Sequence, residues 1–498
     1  MVDRTAILAI DQGTTSSRAI VFDAGGAILA SAQEELPQIY PAEGWVEHDP
    51  EEVWRTSLES ARGAIAEAEA KGVSVAALGL TNQRETAIVW ERASGRPLMN
   101  AIVWQDRRTA ETCRRLAADG AEPLVRERTG LVVDPYFSAT KFAWILDHVD
   151  GARARAERGE LAAGTVDSWL LWKLTNGAVH ATDATNASRT SLFNIHSGAW
   201  DAELLKLFNV PAGVLPEVRG SADDYGTTAT GLFNRPLPIL GVAGDQQAAA
   251  VGQACFHPGE AKCTFGTGCF ALVHTGDVVA QSKNKLLSTV AARIGDNTTY
   301  AIEGSIFIAG AAVQWMRDGL GVIAASAETA GRAARAAADS QVVMVPAFAG
   351  MGAPHWEPGA RAAVFGMSRA TGPDELARAA LEGVVHQTDD LLAAMAADGF
   401  PVTTLRIDGG MAANDWFSQS LADILGVAVE RPPVLETTAL GAARLAGLQL
   451  GVYERLDTIA AAAAPERRFE PRLDEAERAG RRSRWRACVE AVLAVARS

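Results

Sequence analysis

The sequence predicts a two-domain α/β protein whose halves face one another across a cleft, and three observations carry the prediction. Near the amino terminus Ala6-Ile7-Leu8-Ala9-Ile10 is an apolar run without alternation, as in a strand buried on both faces. Asp11-Gln12-Gly13-Thr14-Thr15 breaks it with a polar, glycine-bearing turn, and Ala19-Ile20-Val21-Phe22 brings the chain straight back. The plan recurs in the second half, where Ala261-Lys262-Cys263-Thr264-Phe265 enters Gly266-Thr267-Gly268 and leaves through Cys269-Phe270-Ala271-Leu272-Val273. Finally, 498 residues are too many for one ordinary core and divide naturally as 1–250 and 251–498. The two hairpins share a plan and little residue identity.

Bulk composition narrows the function classes. A net charge of -14 argues against nucleic acid or an anionic membrane surface as the main partner, since either calls for a basic face. Cys113, Cys255, Cys263, Cys269 and Cys488 form no CxxC pair and are odd in number, so neither a disulfide framework nor a zinc site is indicated. The chain enters its first strand without a basic, apolar leader, and no apolar run approaches the roughly 18 residues of a membrane span; a cytoplasmic protein is expected. There is no Gly-Lys dipeptide, which removes the P-loop, and Gly266-Thr267-Gly268 lacks the third glycine of a dinucleotide fingerprint. The eukaryotic protein-kinase motifs are missing as well. A phosphate cradle here must be of the hairpin kind.

Taken in order, the first hairpin suits a metal-bound polyphosphate. Backbone N–H groups and the hydroxyls of Thr14, Thr15 and Ser16 donate to phosphate oxygens, Arg18 balances charge, and Asp11 holds magnesium through its water shell. The alternative is a turn whose Asp and Thr merely close the hairpin. Ala27-Ile28-Leu29-Ala30 completes a meander, and a helix is expected over 51–70. Val75-Ala76-Ala77-Leu78-Gly79-Leu80 is another buried strand that delivers Arg84 and Glu85 to its end. A forked donor beside an acceptor is what a vicinal diol needs, because each hydroxyl gives and takes a hydrogen bond; a surface ion pair is the alternative. Trp104 reaches a similar edge, either to cover the carbon side of a polyol or as a core tryptophan. The strand Pro238-Ile239-Leu240-Gly241-Val242-Ala243 stops at Gly244-Asp245-Gln246-Gln247, where Asp245 is either a helix N-cap or the base for a substrate hydroxyl, with Gln246 holding a neighbouring hydroxyl. Residues 251–259 cross to the second half. There, Ala309-Gly310-Ala311-Ala312-Val313-Gln314 is a small-residue helix start open to close approach by a ligand. Leu405-Arg406-Ile407-Asp408-Gly409-Gly410-Met411-Ala412-Ala413-Asn414-Asp415 reads as strand, tight turn and helix start, a shelf for adenine and ribose. From about residue 465 the chain reads as charged and helical, with no visible chemistry.

A family resemblance joins these pieces. Tyr136, Ser138, Lys141, Trp144 and Asp147-His148 resemble the first signature of the FGGY carbohydrate kinases, and Gly164-Thr165-Val166-Asp167-Ser168-Trp169-Leu170 with Thr182-Asp183-Ala184-Thr185-Asn186-Ala187-Ser188-Arg189-Thr190 continues it. Thr81-Asn82-Gln83-Arg84-Glu85-Thr86, Trp104-Gln105-Asp106-Arg107-Arg108, Gly244-Asp245-Gln246-Gln247, Gly266-Thr267-Gly268 and Thr438-Ala439-Leu440-Gly441-Ala442 follow in the family's order. The resemblance implies two actin-like (ribonuclease H-like) ATPase domains with a central cleft holding ATP, Mg2+ and, from the Arg-Glu pair and the tryptophan, glycerol. Carried over by position, Arg84, Glu85, Tyr136, Asp245 and Gln246 bind the glycerol hydroxyls while Trp104 and Phe270 pack its carbons. Thr14, Thr15, Ser16, Arg18, Thr267, Gly310, Gln314, Gly410, Met411, Asn414 and Asp415 bind nucleotide, Asp11 and Asp245 hold magnesium through water, and Asp245 is the catalytic base. A homo-oligomer, dimer or tetramer, is implied too. The loop Gly226-Thr227-Thr228-Ala229-Thr230-Gly231-Leu232-Phe233-Asn234-Arg235-Pro236 departs from the glycine-rich segment through which some bacterial members bind fructose bisphosphate. A kinase for erythritol or xylulose is the nearest alternative. An actin-like ATP-switched binding protein is a more distant one, for which Arg84, Glu85, Trp104 and Asp245 have no purpose.

Overall fold

Apolar runs without alternation become the central strands of two sheets, and the helices between them cover both faces. The computed structural model describes residues 5–498. In the first sheet β1 (Ala6–Gln12), β2 (Ser16–Asp23) and β3 (Ile28–Glu35) form an antiparallel meander, and β4 (Val75–Asn82) and β5 (Ile239–Gly244) add in parallel beyond β1, giving the order β5-β4-β1-β2-β3. The helix α1 (Pro50–Ala70), started by the Asp49 cap and Pro50, packs Val53, Ala61, Ala64 and Ile65 on the face that presents Leu8, Ile10 and Val21. The helix α2 (Ser138–His148) lies in an insertion between β4 and β5, and α3 (Asp245–Gly252) follows β5 directly.

The second sheet repeats the plan. Its meander is β6 (Glu260–Phe265), β7 (Cys269–Gly276) and, beyond the edge strand β8 (Leu287–Ile294), β9 (Asn297–Ile306). With the parallel strands β10 (Thr404–Asp408) and β11 (Ala428–Arg431) and the edge strand β12 (Arg467–Phe469), the order is β8-β9-β7-β6-β10-β11-β12. Stripped of its edge strands, this matches the first sheet strand for strand: β9-β7-β6-β10-β11 beside β3-β2-β1-β4-β5. The helices α4 (Gly310–Asp318), α5 (Pro373–Ala397) and α6 (Asp415–Leu425) bury their apolar residues in its core.

The chain then returns to the first sheet. The helix α7 (Thr437–Leu450) packs Ala439, Leu440, Ala442 and Ala446 on the face formed by Ile7, Ala9, Ile20 and Phe22. It crosses α3 at backbone contact: a Cβ on Gly441 would lie 1.8 Å from Ala248 O, and one on Gly252 1.8 Å from Thr437 O. Only glycine fits at that joint. The segment from about residue 465 differs from the sequence reading at its start, since Arg467–Phe469 is a strand on the edge of β11. The charged helix α8 (Glu475–Ala496) begins after it and buries Trp485, Cys488, Val489 and Val492.

Candidate active site

The end of β4 builds a corner of buried charge. Arg84 and Glu85 are 3% and 1% exposed, so neither is a surface ion pair. The Arg84 guanidinium donates from Nη1 to Glu303 Oε2 at 2.7 Å and to Gln247 Oε1 at 3.2 Å, and its Nε faces Asp245 Oδ1 at 3.2 Å. Glu85 accepts from Arg189 Nε at 2.7 Å, and Arg189 Nη2 donates to the other oxygen of Glu303 at 2.8 Å. Against the upward push of burial, Arg189 and Arg84 hold the Glu303 carboxyl down at about 2. Glu85 has φ 62°, in the left-handed region that a long side chain rarely adopts. Its carbonyl is fixed by α2, accepting from Ser138 Oγ at 3.0 Å and Lys141 Nζ at 3.4 Å. The same ammonium donates to Tyr136 O at 2.5 Å and Phe137 O at 3.1 Å.

Aromatic rings wall this corner. Tyr136 meets Trp104 edge to face, with centroids 5.7 Å apart, and burial raises its phenol far above the ordinary range. Trp104 Nε1 donates to Thr14 Oγ1 at 2.9 Å, which ties the wall to the first hairpin turn. Phe270 on β7 stands opposite Ser305 of β9, two residues along from the Leu272–Glu303 pair and so on the same sheet face. Asp245 opens α3 as its first residue and not as the cap, which is Gly244; its side chain is 32% exposed and Oδ1 also accepts from Gln246 N at 2.7 Å. Gln246 is buried and takes a hydrogen bond from Lys262, whose ammonium also reaches Thr264 Oγ1 at 3.0 Å.

Each hairpin turn is closed by backbone hydrogen bonds of its own half. In the first, Gly13 N donates to Ser16 O at 2.9 Å, leaving the hydroxyls of Thr15 and Ser16 on the turn, where Thr15 is exposed. Arg18, opposite Asp11 in register, is engaged by Gln33 at 3.0 and 2.8 Å and by Glu436 ahead of α7. Burial, then Asp245, push the half-buried Asp11 carboxyl up to about 7, with Arg18 opposing and Glu436 reinforcing the rise. In the second turn, Gly310 N donates to Gly266 O at 2.9 Å, and Ala309 and Ala311 N–H groups donate to Thr267 O at 2.9 and 3.1 Å, so α4 starts on the hairpin itself. Gln314 is exposed one turn further on. The shelf after β10 closes against the same hairpin, since Gly409 has φ 82° and a Cβ there would lie 2.5 Å from Phe265 O. Next to it Gly410 is open, with nothing within 4 Å of a built Cβ, and Met411 is buried. Asn414 caps α6 through Phe417 N at 3.1 Å and reaches Thr329 Oγ1 at 3.2 Å, whereas Asp415 is turned to Arg431 at 2.8 Å and to Arg467.

The corner therefore gathers Arg84, Glu85, Trp104, Tyr136, Asp245 and Gln246, residues spread over four segments of the chain. Sequence reasoning gave no role to Arg189, Lys141, Lys262 or Glu303. The available signal was a lone charge inside an apolar strand, Ile302-Glu303-Gly304 and Ala261-Lys262-Cys263, which a buried sheet accepts only when the charge has a partner. Among the described residues no group of three or more His, Cys, Asp or Glu side chains forms a metal cluster, and no helix is long and apolar enough to cross a membrane.

Duplicated meander sheets, a hairpin turn from each half and a polar corner between them define a sugar-kinase class of protein. The chain belongs to the FGGY family of carbohydrate kinases, matching its N-terminal domain over residues 6–252 and its C-terminal domain over 261–450. Among similar proteins, it is 59% identical to a glycerol kinase of Rhodospirillum centenum and 59% identical to a glycerol kinase of Methylobacterium nodulans, with 98% of each chain covered in both cases. Its fold matches that of Plasmodium falciparum glycerol kinase solved with ADP, with a TM-score of 0.93, 35% identity and 98% of both chains covered. A gluconate kinase from Lactobacillus acidophilus, 21% identical with a TM-score of 0.88 and 99% of both chains covered, shares the fold.

Proposed function

We infer that this chain transfers the γ-phosphoryl group of ATP to a terminal hydroxyl of glycerol, giving sn-glycerol 3-phosphate and ADP. The observation that carries the reading is Asp245, a carboxylate at the lip of the corner whose Oδ1 stands 3.2 Å from Arg84 Nε beside the aromatic wall. Arg84 donates to glycerol hydroxyls, Glu85 accepts from them, and Trp104, Tyr136 and Phe270 cover the carbon chain. Asp245 takes the proton of the attacking hydroxyl as the new P–O bond forms and the bond to the ADP oxygen breaks, a role worth typically about 10²- to 10⁴-fold. The turns of the two hairpins supply Thr14, Thr15, Ser16 and Thr267 to the phosphate chain. The helix start at Gly310, Gln314 and the Gly410–Asn414 shelf supply the nucleoside side.

Magnesium fits the donor set. Asp11 and Asp245 are hard oxygen donors, and Asp245 adds to burial in making ionisation of Asp11 costly, which a divalent cation held there would relieve. Held through water by these two, a magnesium ion would supply charge neutralisation on the phosphate chain. One assay tests the function: ADP release by the purified protein with ATP, magnesium and a panel of glycerol, erythritol, xylulose and other polyols. Glycerol is expected to give the highest kcat/KM. A higher value for another polyol, or ADP release indifferent to any of them, refutes the reading.

A further inference from the structure

We propose that Glu303 and Arg189 are positioning residues of the acceptor site, so that the polyol-binding corner of the first half is completed by a carboxylate from the second. The inference rests on the glycerol reading and goes beyond it, because neither residue belongs to the set that faces the acceptor.

Glu303 lies on β9 of the second sheet, 2% exposed, and places one oxygen on Arg84 and the other on Arg189. Among the described residues no other carboxylate contacts both guanidinium groups except Glu85, which pairs with Arg189 at 2.7 Å and is 3.9 Å from Arg84 Nε. Arg189 in turn backs two acceptor-facing side chains. It holds the Glu85 carboxylate, and its guanidinium carbon lies 5.7 Å from the Tyr136 ring centroid and 5.3 Å from that of Phe137. Arg189 Nη1 is buried with no hydrogen-bond partner among the described residues, so this side chain meets the demands of Glu85 and Glu303 at the expense of its own remaining donor. A guanidinium held only by packing would rotate to satisfy itself.

The chemistry explains the arrangement. A triol is recognised by a fixed donor beside a fixed acceptor, and both Arg84 and Glu85 have several rotamers. Glu303 locks the first directly and the second through Arg189. The two glutamates and two arginines cancel in charge, so the corner tolerates burial without drawing on Asp245.

The test measures steady-state kinetics with glycerol varied at saturating ATP and with ATP varied at saturating glycerol, alongside ATP affinity from tryptophan fluorescence. Glu303→Gln keeps the shape and removes the charge. Because it leaves excess positive charge in a buried site and risks unfolding, Glu303→Asp and Arg189→Lys, which keep the charge and break the two-oxygen bridge, are made in parallel. The expected result is a rise in glycerol KM of about ten-fold or more with ATP affinity within about two-fold of wild type, and partial recovery in Glu303→Asp relative to Glu303→Gln. A wild-type glycerol KM in a folded variant overturns the assignment, as does a parallel loss of glycerol and ATP binding, which a merely structural role would produce. If wild-type protein itself shows no glycerol-dependent ADP release, the functional reading fails first. Turnover by wild type with unaltered variants ends the assignment alone.

Discussion

Replacing Asp245 by Asn tests proton transfer, because the substitution keeps the geometry around the side chain and removes the carboxylate, which also serves as one of the two proposed magnesium holders. Oδ1 accepts from Gln246 N at 2.7 Å and stands 3.2 Å from Arg84 Nε, and an amide oxygen serves both donors. What Asn cannot do is take a proton at neutral pH. The loss is therefore the general-base contribution, about 10²- to 10⁴-fold in kcat, or about 2.7–5.4 kcal/mol at 1.36 kcal/mol per decade. Ground-state binding changes less. With ATP held, as proposed, by the two hairpin turns and the Gly410–Asn414 shelf, ATP affinity by fluorescence titration is expected within about two-fold of wild type, and glycerol KM within about ten-fold. The assay is coupled ADP release at saturating glycerol, with rapid-quench measurement of the first turnover to ensure that chemistry limits the rate. Turnover of Asp245→Asn within about five-fold of wild type refutes the role of Asp245 as base, whatever happens to binding.

Other substitutions probe the joints between the parts. Trp104→Phe keeps the ring wall and removes the indole hydrogen bond to Thr14, so kcat/KM for glycerol is expected to fall about two- to ten-fold, matching about 0.5–1.5 kcal/mol for one neutral hydrogen bond; an unchanged value shows that the 2.9 Å contact does not couple the two sites. Gly441→Ala drives a methyl to within 1.8 Å of Ala248 O and should lower stability to urea by about 1–3 kcal/mol or more, a cost absent if the two helices slide apart freely. Lys141 has its ionisation lowered by burial from 10.5 to about 8. Between those values the unfolded chain carries a proton that the native one lacks, so this group makes stability rise with pH from about 8 to 10.5. Wild type should therefore gain on Lys141→Met in urea unfolding across that range, and a difference independent of pH contradicts the shift.

Much of this was legible in the chain because both hairpins rest on strands buried on two faces, where apolar runs are unbroken and the glycine-bearing turn stands out. Arg84 and Glu85 were legible for the same reason, as adjacent charges at the end of such a run. Pairings across great sequence distance were not. Arg189 and Glu303 are 114 residues apart and Arg18 and Glu436 are 418 apart, and no local pattern links them. The strand Arg467–Phe469 escaped because an edge strand of three residues with two arginines has no apolar periodicity to show. Similarly, the apolar face of α7 announces burial without saying that it covers the first sheet and not the second, which is decided by the backbone approach that Gly252 and Gly441 permit.

The placement of charge also bears on which carboxylate can act. Glu303 is held down by two arginines at 2.7 and 2.8 Å, and Glu85, although burial raises its carboxyl, has an oxygen committed to Arg189 at 2.7 Å. Asp11 has the opposite difficulty, since burial beside Asp245 leaves its charge unfavourable. Asp245 differs from all three. It is part exposed, it begins a helix whose N–H groups favour a negative charge, and its contact to Arg84 at 3.2 Å is longer than that of Glu303 at 2.7 Å. A base needs a carboxylate oxygen open to the acceptor and free of a close bond to arginine, and within this corner those conditions are met at residue 245.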